Sequence, residues 1–91
     1  MSTNIYTITA ADAMHMMTPA TLVSFINDLV EYEAMWGNTI GRSMIAAATE
    51  ALVANAGAEE AITMMADAEI DASNPQIEAV LAEWASRAAQ P

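Results

Sequence analysis

One pattern constrains this chain more than any other: apolar residues return with the period of an α-helix between short punctuating pairs. From Pro19 to Trp36, Leu22, Phe25, Ile26, Leu29, Val30 and Trp36 share one face at about 100° per residue, while Ser24, Asn27, Asp28 and Glu31 oppose them. A strand could not bury this stripe, because its side chains alternate between two faces. The segment opens at Thr18-Pro19, where a hydroxyl can accept a free backbone N–H ahead of a proline at the first helical position. Gly37-Asn38, two residues that tolerate a left-handed backbone, closes it, and Thr39 is placed to cap the next helix.

The same reading extends along the chain. Ile40, Met44, Ala47, Ala48 and Ala51 make a stripe widened by Ile45 and Leu52, and its small residues, with Gly41, should let a neighbouring helix approach closely; Gly57 ends it. Residues 58–70 are helical by propensity but poorly patterned, with Ile62 and Met65 as anchors among scattered acids. Asn74-Pro75 repeats the cap-then-proline device, and Ile77, Val80, Leu81, Trp84 and Ala88 form a stripe to near the end. Thr9 and Asp12 open a short leading helix, and Ile5, Tyr6 and Ile8 alternate weakly in an extended arm. The expectation is an all-α fold and a single domain over 1–91. It is a small compact bundle of four main helices plus a short N-terminal helix, with helices at about 9–17, 19–36, 39–56, 58–70 and 75–89 after an arm at 1–8.

Composition limits what such a bundle can do. The 91 residues carry 12 acids and two bases, Arg42 and Arg87, with no lysine, for a net charge of −10. Phosphate binding depends on Lys and Arg, so this balance argues against direct contact with nucleic acid or an anionic membrane surface. The absence of cysteine excludes disulfides and thiolate metal sites and fits a reducing, cytoplasmic setting. No positively charged leader precedes an apolar run, and Met44 to Ala48, the longest such run, is far too short to span a bilayer, so a soluble protein is expected. Much of the apolar share is alanine and methionine, which bury little area per residue; self-association, in a homodimer for instance, would supplement the core.

Several clusters have residue types found at sites. Met14-His15-Met16-Met17, with Met64-Met65, has the soft donors that suit Cu(I), against the alternative that Met14 and Met17 fill core gaps and His15 is solvated. Asp67, Glu69, Asp71, Ser73 and Glu78 fall at ligand positions of a calcium-binding EF-hand, but Ala72 stands where that loop needs glycine and Pro75 interrupts it. An acidic linker followed by a helix cap is the plainer account, and no metal or cofactor is expected. Glu33 projects into the apolar face of its helix, which calls for pairing, and Arg42 is the nearest cation in sequence. There is no cysteine nucleophile, no Gly-rich phosphate loop and no acid partner evident for the sole histidine, so catalysis is not expected.

The strongest charge signal is Glu59, Glu60, Asp67, Glu69, Asp71, Glu78 and Glu83, a set with no base between its first and last members. With Tyr32 and Met35, an aromatic and a flexible apolar residue of the kind common at interfaces, these are the candidate partner-binding residues. The expected function is a non-enzymatic protein-binding domain whose acidic C-terminal half engages a partner with a basic surface. It would occlude a surface that otherwise grips nucleic acid, as small acidic phage-type inhibitors of the anti-restriction and anti-CRISPR class do. Two alternatives stand beside it: an assembly subunit that self-associates through Ala- and Met-rich helices, and a degenerate EF-hand-like ion binder.

Overall fold

A computed structural model describes residues 10–36 and 39–90, with side chains over 12–35 and 41–90. The described residues are all-α: α1 (Ala10–His15), α2 (Pro19–Trp36), α3 (Thr39–Ala56), α4 (Ala58–Asp67) and α5 (Pro75–Ala88). The expected arm at 1–8, the Gly37-Asn38 turn, the cap at Thr39 and the side chains of Trp36 and Ile40 lie outside the described residues.

The Thr18 hydroxyl accepts the N–H of Thr21 at 3.2 Å, so α2 begins under the cap that Thr18-Pro19 leads one to expect. Leu22, Ile26, Leu29 and Val30 are buried and Phe25 is partly buried, whereas Ser24, Asp28 and Glu31 face out. Val23 is also buried, which makes the apolar face wider than the stripe alone implies. α3 is the hub and touches each of the other four helices. Its alanines explain the position: Ala48 and Ala51 are fully buried, and with no more than a methyl at these points neighbouring backbones can come close. Ile45 and Leu52, also fully buried, fill the space on either side.

Polar bonds at the two ends of the α2–α3 pair fix its sense. At one end Asn55 Nδ2 of α3 donates to the carbonyls of His15 and Met17, 3.1 and 3.3 Å away, just ahead of α2. At the other, Arg42 near the start of α3 lies beside Glu33 near the end of α2. The two helices are therefore antiparallel. The Asn55 bonds also satisfy carbonyls that the short α1, which ends at His15, leaves without helical partners. α1 accordingly stops two residues before the expected boundary.

α4 ends at Asp67, three residues before the expected boundary, and the geometry of its end gives the reason. Glu69 N–H donates to Ala66 O at 3.0 Å and Ile70 N–H to Met65 O at 3.3 Å, the paired bonds of a Schellman stop. The left-handed residue that such a stop requires is Glu69, at φ 54°, in a place glycine usually takes. Ile70 and Met65, which flank the motif, are both buried and supply its apolar contact. α5 then starts under Asn74, whose Oδ1 accepts from Gln76 N and Ile77 N at 2.9 and 3.1 Å ahead of Pro75. Ile77 and Trp84 are its buried anchors.

Candidate functional site

Charge is distributed unevenly over this scaffold. Both arginines are committed internally: Arg42 Nε lies 3.7 Å from Glu33 Oε2, and Arg87 Nη2 lies 3.4 Å from Glu83 Oε2 one helical turn away. Glu59, Glu60, Asp67, Glu69 and Glu78 are exposed, and neither of these ion pairs includes them. They mark the first turn of α4, its end, the connection and the first turn of α5. At about 1.5 Å of rise per residue, Glu59 and Asp67 stand about 12 Å apart along α4. The carboxylates thus cover a surface. Among the described residues, no group of three or more His, Asp or Glu is gathered for a metal ion, the calcium-loop spacing from Asp67 to Glu78 included.

Asp71, one of this set, is held locally. Its Oδ1 accepts from the Ser73 hydroxyl at 2.6 Å and from Ser73 N–H at 3.0 Å, and these bonds hold its carboxyl below the usual aspartate range, the hydroxyl contributing most. The turn so formed delivers the chain to the Asn74 cap. Asn74 has a second role that the sequence does not reveal: its Nδ2 donates to Glu33 Oε1 at 2.8 Å. Gln76 Nε2, two residues on, donates to Arg42 O at 2.8 Å. Glu33, with its side chain 18% exposed, is paired with Arg42 as its position on the apolar face demands, and the pair sits in a junction that ties the start of α5 to the α2–α3 hairpin.

An apolar trough of about 440 Å³ lies between α4 and α5. Ile62, Met65, Ile70 and Leu81 line it, and Ala66, Ala72, Ala82 and Ala85 keep it open because their methyl groups fill little of the space between the helices. By helical spacing Glu59 lies one turn from Ile62 on α4 and Glu78 one turn from Leu81 and Ala82 on α5, while Glu69, past the end of α4, directly precedes Ile70 of the lining. The acids are evident in the sequence, but the trough is not. Its signal was the poor apolar pattern of 58–70, which reflects a helix with one face against α3 and a second left partly open. A smaller cavity of about 150 Å³, between α3 and α5, includes Thr49, Gln76, Trp84 and Arg87 in its lining.

Tyr32 and Met35 are 43% and 72% exposed on the last turns of α2, either side of Glu33. The Glu33–Asn74 bond places that end of α2 beside the start of α5, so these residues neighbour the acidic surface at one end only. Met14 is buried, Met17 packs on the core and His15 is exposed, the arrangement expected of core fillers beside a solvated histidine. Among the described residues no helix is long and apolar enough to cross a membrane. The chain matches no known protein-family model, no curated protein and no solved structure.

Proposed function

We propose that this protein is a non-enzymatic binding domain whose α4–α5 half docks on a basic surface of a partner protein and blocks the nucleic-acid contacts made there. The observation that carries the reading is that Arg42 and Arg87 lie against Glu33 and Glu83, while Glu59, Glu60, Asp67, Glu69 and Glu78 are exposed and belong to neither ion pair. Carboxylates spread over a helical surface attract a basic patch at long range, speed encounter and repel phosphate, so the protein would compete with nucleic acid without resembling it in charge density. An action of this kind is that of small acidic phage-type anti-restriction and anti-CRISPR inhibitors. The protein acts inside the cell in this reading, where such partners work.

Capture from cells that naturally express the protein, followed by reconstitution with the purified partner, tests the proposal. The expected partner is basic, loses nucleic acid when this protein is added, and is released as salt rises from about 0.05 to about 0.5 M. Charge reversal at Glu59, Glu60, Asp67 and Glu69 should slow association with the fold intact. Binding indifferent to both salt and charge reversal would overturn the proposal. The assembly reading has its own support in Met16, Tyr32 and Met35, three large apolar side chains exposed on α2 and just before it. Sedimentation separates the two: a stable homo-oligomer with these residues occluded favours assembly, and a monomer favours docking.

A further inference from the structure

We propose that the α4–α5 trough is the seat of a basic amphipathic helix, which lays an apolar edge between the two helices while its lysines or arginines meet the carboxylates alongside. The inference rests on the docking reading above and names the form of the partner. An occupant must match an apolar floor, and Met65 and Ile70 are buried there while Ile62 and Leu81 are only partly covered. It must also carry positive charge, because Glu59 and Glu78 lie one helical turn from lining residues Ile62 and Leu81, Glu69 directly precedes Ile70, and no basic residue stands between 59 and 83.

The shape favours a helix. The trough runs between two helices, and among the described residues there is no strand whose edge could pair with an extended peptide. Ala66, Ala82 and Ala85 lower the sides enough for side chains one and two turns apart on an incoming helix to enter. α4, the shorter partner, is about 15 Å long, which accommodates anchors spaced i, i+3 or i+4, and i+7. A second copy of the chain fits less well. A symmetric contact over this trough would set Glu59, Glu69 and Glu78 against themselves in a protein that has no lysine to offset them.

The test uses the full chain and an 18-residue peptide of leucine and lysine with leucines at i, i+3, i+4 and i+7, beside a shuffled peptide of the same composition that has no apolar face. The patterned peptide should bind at least about tenfold tighter than the shuffled one. Its backbone amide shift changes should concentrate at residues 62–72 and 81–85. The double substitution Ala82→Leu/Ala85→Leu, at two exposed positions, fills the trough and should weaken binding by about tenfold or more with the circular dichroism unchanged. Shift mapping on the unaltered protein decides the matter even if that variant folds poorly. Equal binding of the two peptides, shift changes centred on Tyr32 and Met35, or a dimer of the protein alone that the filled trough abolishes would each overturn the proposal. If trough filling leaves binding of the native partner intact while charge reversal removes it, the acidic docking surface stands and the helical occupant falls. If neither change affects the native partner, the docking reading falls as well.

Discussion

The α2–α3 hairpin and the α4–α5 pair are built from similar alanine-rich sequence, yet they are held together in different ways. In α2 and α3 the buried side chains recur along both helices, from Leu22 to Val30 and from Ile45 to Leu52, so each turn of one meets apolar surface of the other. α4 buries only Ala61 and Met65, and α5 only Ile77 and Trp84. What the second pair lacks in buried area it replaces with end devices: the Schellman stop at Glu69, the Ser73–Asp71 turn, and the Asn74 cap tied to Glu33. One half of the molecule is a core with a surface. The other is a surface pinned to that core at a few points, with an open apolar trough and exposed carboxylates at Glu59, Glu60, Asp67, Glu69 and Glu78.

If that contrast is right, the pins should matter more than their number suggests. Among the described residues Trp84 is the largest fully buried side chain, and Trp84→Ala should cost about 3–5 kcal/mol in chemical denaturation. Hydrogen exchange on this variant should show α5 losing protection first and α2 last; uniform loss across all five helices would erase the distinction between the halves. Asn74→Ala comes next. It removes both the cap of α5 and the bond to Glu33, for an expected loss of about 1–2 kcal/mol. Asn74→Asp sharpens the point, because a carboxylate can still cap the helix but cannot donate to Glu33 and faces its charge. If the aspartate variant matched the native protein in stability, the tie to α2 would contribute nothing.

The same contrast governs what could be read from the sequence. α2 was legible almost residue by residue, because its stripe is long and its boundaries carry proline or glycine signals. α5 was legible for the same reason. The end of α4 was not: nothing at 67–70 announces a stop, since the left-handed position is filled by glutamate and the bonds that close the helix come from backbone groups. The Glu33–Arg42 pair could be anticipated from one acid out of place on an apolar face, but its bond to Asn74, 41 residues away in sequence, depends on tertiary placement. The trough was hidden for a related reason. Alanine at 66, 82 and 85 reads equally as helix propensity or as missing volume, and only the pairing of two helices distinguishes them.

Glu69 offers a smaller test, with a sign opposite to those at Trp84 and Asn74. A left-handed backbone costs a side-chain-bearing residue about 1–2 kcal/mol relative to glycine, so Glu69→Gly should raise stability by about 0.5–1 kcal/mol once the extra freedom glycine has in the unfolded chain, about 0.4–1 kcal/mol, is subtracted. The docking reading adds a second expectation for the same variant, since it removes a carboxylate beside the trough: a more stable protein that associates more slowly with its basic partner. Thermal melts and stopped-flow association read the two separately. A gain in stability with unchanged association would confine Glu69 to its role in the helix stop.

The smallest effect belongs to the connection itself. Ser73 donates two hydrogen bonds to the Asp71 carboxylate, and both favour the ionised form. Because the folded pKa is depressed, the stabilisation is present above the unfolded aspartate value and disappears as pH falls through the folded one. A carboxyl-detected NMR titration should therefore find Asp71 titrating at lower pH than an ordinary aspartate. Ser73→Ala, which removes the hydroxyl but keeps the backbone N–H, should move it back toward the ordinary aspartate value while leaving a residual depression. The amides of Ser73, Asn74 and Gln76 should shift with the same midpoint, since the turn and the Asn74 cap are adjacent. If the Ser73→Ala midpoint matched the native one, the hydroxyl would not be what holds the turn, and the entry to α5 would depend on the asparagine cap and Pro75 alone.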